Sequence, residues 1–167
     1  MLITGAAWVL GKNHMPGTSG VGLWHQHGLI KQGSLTEKEA TGAYLFGSQR
    51  LWYRHPGSDI SGISGFYQYS INNSSVLPMK QSIGAGLTAF GLIANRDDDS
   101  LGAGVSLAWL NAKSTNRATE LMYQIYYQAK MLSGIYIEPA LSYIPTPGQN
   151  KNFSPAFAGT LRAIVLF

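Results

Sequence analysis

Turn signals cut this chain into nine short segments, most of which alternate apolar and polar residues with a period of two. That period belongs to a β-strand with two unlike faces, because successive side chains point to opposite sides of a sheet. In 119–131, Leu121, Tyr123, Ile125, Tyr127, Ala129 and Met131 share one face; Met122, Gln124, Tyr126, Gln128 and Lys130 share the other. In 133–143, Ile135, Ile137, Pro139, Leu141 and Tyr143 oppose Gly134, Tyr136, Glu138, Ala140 and Ser142. In 99–110, Leu101, Ala103, Val105, Leu107 and Trp109 oppose Gly102, Gly104, Ser106 and Ala108. The pattern predicts strands at 2–11, 18–27, 41–53, 60–71, 81–93, 99–110, 119–131, 133–143 and 156–167. No helical period of useful length competes.

Composition says which solvent those strands face. Charged residues make up 12% of the chain, about half the share usual for soluble proteins. No stretch approaches the roughly eighteen apolar residues of a membrane helix. The mean hydropathy of −0.01 is that of a soluble chain, but a membrane barrel gives the same average because every second residue is polar. The closing segment, Pro155–Phe167, fits that unit: Phe157, Leu161, Ala163, Val165 and Phe167 lie on one face, Thr160 and Arg162 on the other. Its terminal aromatic, Phe167, is the feature expected to be read by the bacterial outer-membrane assembly machinery. With no cysteine, a disulfide scaffold and a thiol nucleophile are both excluded. The formal charge of +4 is scattered without a basic run, so no nucleic-acid surface is expected.

The connections carry a second pattern. Counted back from Phe167, the expected connections at 144–155, 111–118, 72–80 and 28–40 are long. Those at 132, 94–98 and 54–58 are short. Long external loops and short periplasmic turns are the habit of bacterial barrels. The reading is therefore an all-β, antiparallel, transmembrane outer-membrane β-barrel. Nine strands, however, do not close such a barrel, whose counts are even, and open edges cannot be left unpaired in lipid. Met1–Gly11 lacks the basic start and small-residue cleavage site of a signal peptide. Residues 1–167 are accordingly expected to be one barrel segment whose N-terminal strands and signal peptide lie outside the chain.

Four stretches resemble one family. Ala89–Trp109 has a glycine-rich strand, the turn Asn95-Arg-Asp-Asp-Asp99 and a second glycine-rich strand. Gly17–His27 contains Gly22-Leu-Trp24, and Gln49-Arg-Leu-Trp-Tyr-Arg54 is a "Q-x-L-Y-R" turn with Trp52 as an extra residue. Glu120–Gly148 closes on Tyr143-Ile-Pro-Thr-Pro-Gly148. Together they resemble the carbohydrate-selective porin family, OprB. The departure is Glu138-Pro-Ala-Leu-Ser142, where the family usually has Gln and Asp around the proline. The resemblance implies a sixteen-stranded porin of which this chain is the C-terminal half. It also implies passive diffusion of glucose and similar sugars across the bacterial outer membrane, no cofactor and no bond chemistry.

A channel makes the wall residues the candidates. With Leu51 and Tyr53 toward lipid, Tyr44, Phe46, Ser48, Arg50 and Trp52 are expected inside. The same alternation assigns Tyr126, Lys130, Tyr136, Glu138 and Arg162 to the lumen. Aromatic rings stack on the C–H faces of sugars, and the guanidinium fork offers several donors to hydroxyls. The plainer reading is that these side chains only fill or solvate the wall. Trp109, Tyr123, Tyr127, Tyr143 and Phe167 are expected as interfacial girdle aromatics against outer-membrane lipid. Asn95–Asp99 could coordinate Ca²⁺ but reads better as a capped turn. His25-Gln-His27 puts two imidazoles on one strand face, with no third ligand near in sequence, so no metal is expected. Ser64, Ser82 and Ser106 lack a Gly-x-Ser-x-Gly elbow, so no enzyme is expected.

Two alternatives compete. A complete eight-stranded barrel with a lipid-modifying or recognition role has the right length, but Gly84, Gly86, Gly102, Gly104 and Ser106 would leave holes in its narrow interior. A secreted β-sandwich lectin is opposed by the low charge and the outward apolar faces.

Overall fold

The computed structural model describes residues 2–10, 15–58, 60–111, 117–148 and 152–166, with the side chains of 7–10 left aside. Nine strands follow in order: β1 (Leu2–Leu10), β2 (Gly17–Gln32), β3 (Leu35–Tyr53), β4 (Gly62–Asn72), β5 (Met79–Phe90), β6 (Ser100–Leu110), β7 (Thr119–Leu132), β8 (Ile135–Ile144) and β9 (Ala156–Val165). Each pairs antiparallel with the next, giving one uninterrupted sheet from β1 to β9. Among the described residues β1 and β9 each have a single neighbour and there is no helix. An open sheet of nine strands is incompatible with a closed eight-stranded barrel.

Cross-strand partners share a face, so the register traces rows across the sheet. Val21, Leu45, Tyr69, Ile83, Leu107 and Leu121 form one such row. Leu87 and Ala103, then Ile125, Leu141 and Gly159, continue the same face two rows along. This face is apolar and bare: Val21 is 46% exposed, Leu87 52%, Ile125 54% and Leu161 74%. Among the described residues, the buried apolar ones are only Ile30, Ala40, Val76 and Ala140. A water-soluble domain hides its apolar face in a core, whereas a sheet in lipid leaves it outward.

All nine expected strands are present, but their ends differ. The expected 28–40 loop is instead strand. A bulge between His27 and Ile30, with Gly28 at φ 119°, lets β2 continue, and β2 and β3 meet at a turn where Gly33 takes φ 59°. The pairings Leu2↔His25 and Gly42↔Asn72 end there, so residues 26–41 project as a hairpin past both neighbouring strands. The 73–78 connection folds against this hairpin. Val76 packs with Ile30 and Ala40, while Glu37 accepts from the Ser74 hydroxyl at 2.6 Å and the Ser75 N–H at 2.7 Å. Strict alternation of long and short connections is likewise absent. The turns 33–34 and 133–134 are equally tight though they lie at opposite ends of the sheet, and 91–99 is a full connection. Phe167 and the loop residues Thr115 and Asn150 lie outside the described residues.

Candidate functional site

The second face of the sheet is mixed, and two adjacent rows concentrate its chemistry. One runs Arg50, Ser64, Thr88, Gly102, Tyr126, Ala140 and Thr160. The next runs Tyr53, Gly62, Phe90, Ser100 and Gln128, whose amide reaches Glu138, itself paired with Arg162. Four of the expected wall residues, Arg50, Tyr126, Glu138 and Arg162, therefore fall on neighbouring rows although they come from four different strands.

Arg50 lies between two aromatic rings. Its guanidinium carbon lies 4.9 Å from the Tyr53 ring centroid and 5.0 Å from that of Phe90. Such contacts hold a cation flat against two rings. Its Nη1 is shielded from solvent and has no hydrogen-bond partner among the described residues. Trp52 does not join it, which corrects the expectation. A bulge between Arg50 and Trp52 pairs Trp52 with Ile63, on the apolar face. The extra residue inverts the alternation beyond it, so Tyr53 enters the mixed face and Trp52 leaves it.

Glu138 is 6% exposed and receives Arg162 Nη1 at 2.8 Å and Gln128 Nε2 at 3.2 Å. Glu138 is thus neutralised by its cross-strand neighbour Arg162. Tyr126 bonds its hydroxyl to Thr88 Oγ1 at 2.8 Å and lays its ring across Gly102, where a Cβ would come within 2.1 Å of it. Phe66 covers Gly86 in the same way. Of the glycines that would leave holes in a narrow eight-stranded barrel, Gly86, Gly102 and Gly104 lie against aromatic rings, and Gly84 lies against Gln68. Tyr44 stands farther along, on the row Gly22, Tyr44, Ser70 and Ser82, stacked 6.3 Å from Phe46. Lys130 and Tyr136 pair beside the 133–134 turn, and Lys130 Nζ bonds Asp98 at 2.9 Å. Both are rim residues, away from Tyr44.

The Asn95–Asp99 turn is held by its own acid. Asp99, 4% exposed, accepts from Arg96 Nε at 2.6 Å, from the Lys130 backbone N–H at 2.9 Å and from the Tyr127 hydroxyl. Burial opposes its ionisation, but these donors outweigh burial and hold the carboxyl below its usual range. On the apolar face, Tyr123 pairs with Tyr143, which stacks on Phe157 at 4.7 Å. Trp109 lies at one end of that face, paired with Thr119; Tyr127 lies toward the other, on the row of Leu101 and Ile63 that Trp52 extends. Thr119 to Tyr127 spans about 27 Å of strand at ~3.4 Å per residue, or roughly 20 Å vertically at a barrel tilt of ~40°. That is close to the apolar band of a barrel, about 25 Å.

Sequence reasoning missed Phe90 and Thr88 and did not single out Gln128, although the alternation of 119–131 placed Gln128 on the face of Tyr126 and Lys130. It also missed Glu39, which pairs with His27 and joins His25 and His27 in one cluster.

The profile of the carbohydrate-selective porins, OprB family, matches residues 8–167. The chain belongs to the OprB family of carbohydrate-selective porins. Among solved structures it is similar to Pseudomonas putida OprB, determined at high pH, with a TM-score of 0.79 and 18% identity. The match covers 98% of this chain and 47% of the other, so the chain spans about half the length of that porin. No curated protein matches it. The family accounts for the sheet: neighbouring antiparallel strands with one apolar and one mixed face fit part of a porin wall.

Proposed function

We propose that this chain forms part of the wall of a sugar-conducting channel in the bacterial outer membrane, with the apolar face toward lipid and the mixed face toward the lumen. Glucose and similar sugars pass by diffusion. Strands from outside residues 1–167 close the barrel against β1 and β9, because unpaired backbone groups in lipid cost several kcal/mol each. The Arg50 site supports this reading most strongly. A guanidinium flanked by Tyr53 and Phe90 brings hydrogen-bond donors and ring surface together in one place. Tyr126, Glu138 and Arg162 continue that polar lining, Tyr44 stands in the wider part, and Lys130 with Tyr136 lines the periplasmic rim. Trp109, Tyr123, Tyr127 and Tyr143, now with Trp52, sit at the lipid interfaces, and Phe167 serves the assembly machinery. The 26–41 hairpin and connections 73–78, 111–118 and 145–155 face outside.

The test is swelling of liposomes carrying the natural-length protein. Monosaccharides should enter faster than charged solutes of equal size, and Arg50→Ala should narrow that difference. Equal rates for sugars and size-matched charged solutes would overturn the sugar reading.

A further inference from the structure

The projecting β2–β3 hairpin carries chemistry that a sugar channel does not use. His25 and His27 lie two residues apart on β2, and their cross-strand partners on β3 are Thr41 and Glu39. All four side chains share one face, just past Val21 and Leu23 of the apolar band. One ligating atom each from His25, His27 and Glu39 lie within 4.8 Å of one another. We propose that these three residues bind a borderline divalent transition metal, of which Zn²⁺ is the representative, on the outer surface of the barrel wall.

The donor set decides the class of ion. Two imidazoles and one carboxylate, with a position left for water, suit Zn²⁺ and its first-row neighbours. Ca²⁺ and Mg²⁺ want oxygen ligands throughout. Tetrahedral zinc with ~2.0–2.1 Å bonds sets its ligand atoms about 3.3 Å apart. The cluster must therefore contract by about 1.5 Å at most. Both His27 and Glu39 are exposed, so side-chain rotation supplies the movement.

The surroundings of His25 are a second, independent observation. Its Nδ1 lies 2.9 Å from Thr41 Oγ1, and Thr41 is itself fixed where its backbone N–H donates to Asn73 Oδ1 at 2.8 Å. A ring nitrogen engaged in this way fixes the imidazole plane and leaves Nε2 for a metal, as the hydrogen-bond partner of a ligating histidine's other nitrogen does. The bound ion would join β2 to β3 immediately before the His27/Ile30 bulge. It would clip the hairpin beyond the point where β1 and β4 cease to support it.

Natural-length protein, extracted from outer membranes in detergent and stripped with a chelator, is titrated with Zn²⁺ in a calorimeter. One ion per chain is expected. His27→Ala and Glu39→Gln should each weaken binding at least tenfold, and Thr41→Val should weaken it 10–100-fold through the lost hydrogen bond. With Cu²⁺ as probe, electron spin echo modulation should report two imidazoles in the parent and one in His27→Ala. Unchanged heat-modifiability and sugar conduction would show that the variants still fold. No stoichiometric binding, or binding indifferent to His27→Ala and Glu39→Gln in folded protein, would overturn the proposal.

Discussion

Replacing Gly102 with alanine tests whether the channel-facing glycines are seats for aromatic rings. The added Cβ would stand 2.1 Å from Tyr126 Cε1, 2.4 Å from Cζ and 2.7 Å from the hydroxyl. No Cβ tolerates such contacts, so the ring must lift away, breaking its 2.8 Å bond to Thr88. Overpacking of this kind costs about 1–3 kcal/mol and the hydrogen bond roughly 1 kcal/mol, together about 2–4 kcal/mol. A ring lifted from the wall moves into the lumen, so conductance should fall as well. Urea unfolding in detergent reads the stability loss, and planar bilayers read the conductance. In a Tyr126→Ala background the ring is gone, and Gly102→Ala should cost under about 0.5 kcal/mol, the non-additivity expected of two residues in direct contact. Equal cost in both backgrounds would refute the packing argument.

Exchanging the two residues at the bulge separates the faces: Tyr53→Ala should weaken sugar block of the current, whereas Trp52→Ala should leave block unchanged and lower thermal stability. Arg50→Glu should shift the reversal potential in a salt gradient toward cations, because charge on a low-dielectric wall biases ion passage. For Asp99, the lowered folded carboxyl value means its stabilisation is fully present above its usual pKa of 3.8 and lost as pH falls through the lower folded value. The 91–99 amides should therefore stay protected from hydrogen exchange at pH 5 and lose protection in strong acid, whereas Asp99→Asn should weaken protection at neutral pH. Cysteine at Ser75 should label from outside intact cells and cysteine at Asp98 should not; the reverse pattern would invert the proposed orientation.

The strands were legible because lipid imposes a period of two. Leu121, Tyr123 and Ile125 had to face one way for β7 to lie in a membrane wall, and the structure pairs them accordingly. What alternation could not reveal is a bulge. Between Arg50 and Trp52 one extra residue reversed the faces of Trp52 and Tyr53; Trp52 stood out as an extra residue in Gln49–Arg54, but alternation alone does not say that an extra residue is taken up as a bulge. Turn residues misled at 28–40 for a related reason. Gly28 and Gly33 read as loop, yet their positive φ values serve a bulge and a tight turn within a continuing hairpin. Partners distant in sequence were also out of reach. Glu138 with Arg162, Thr88 with Tyr126 and Glu39 with His27 become neighbours only through the register of the folded sheet.

Single-channel recording of the natural-length protein with glucose in the bath tests the sugar-lining claim most directly. Sugar occupying the Arg50, Tyr53 and Phe90 site should reduce the current in a saturable way. A hydrogen bond to a charged group contributes about 1.5–3 kcal/mol, so Arg50→Ala should raise the half-blocking concentration at least tenfold. A current unaffected by sugar, or block equally strong in Arg50→Ala, would contradict the assignment of the mixed face as a sugar-binding lumen.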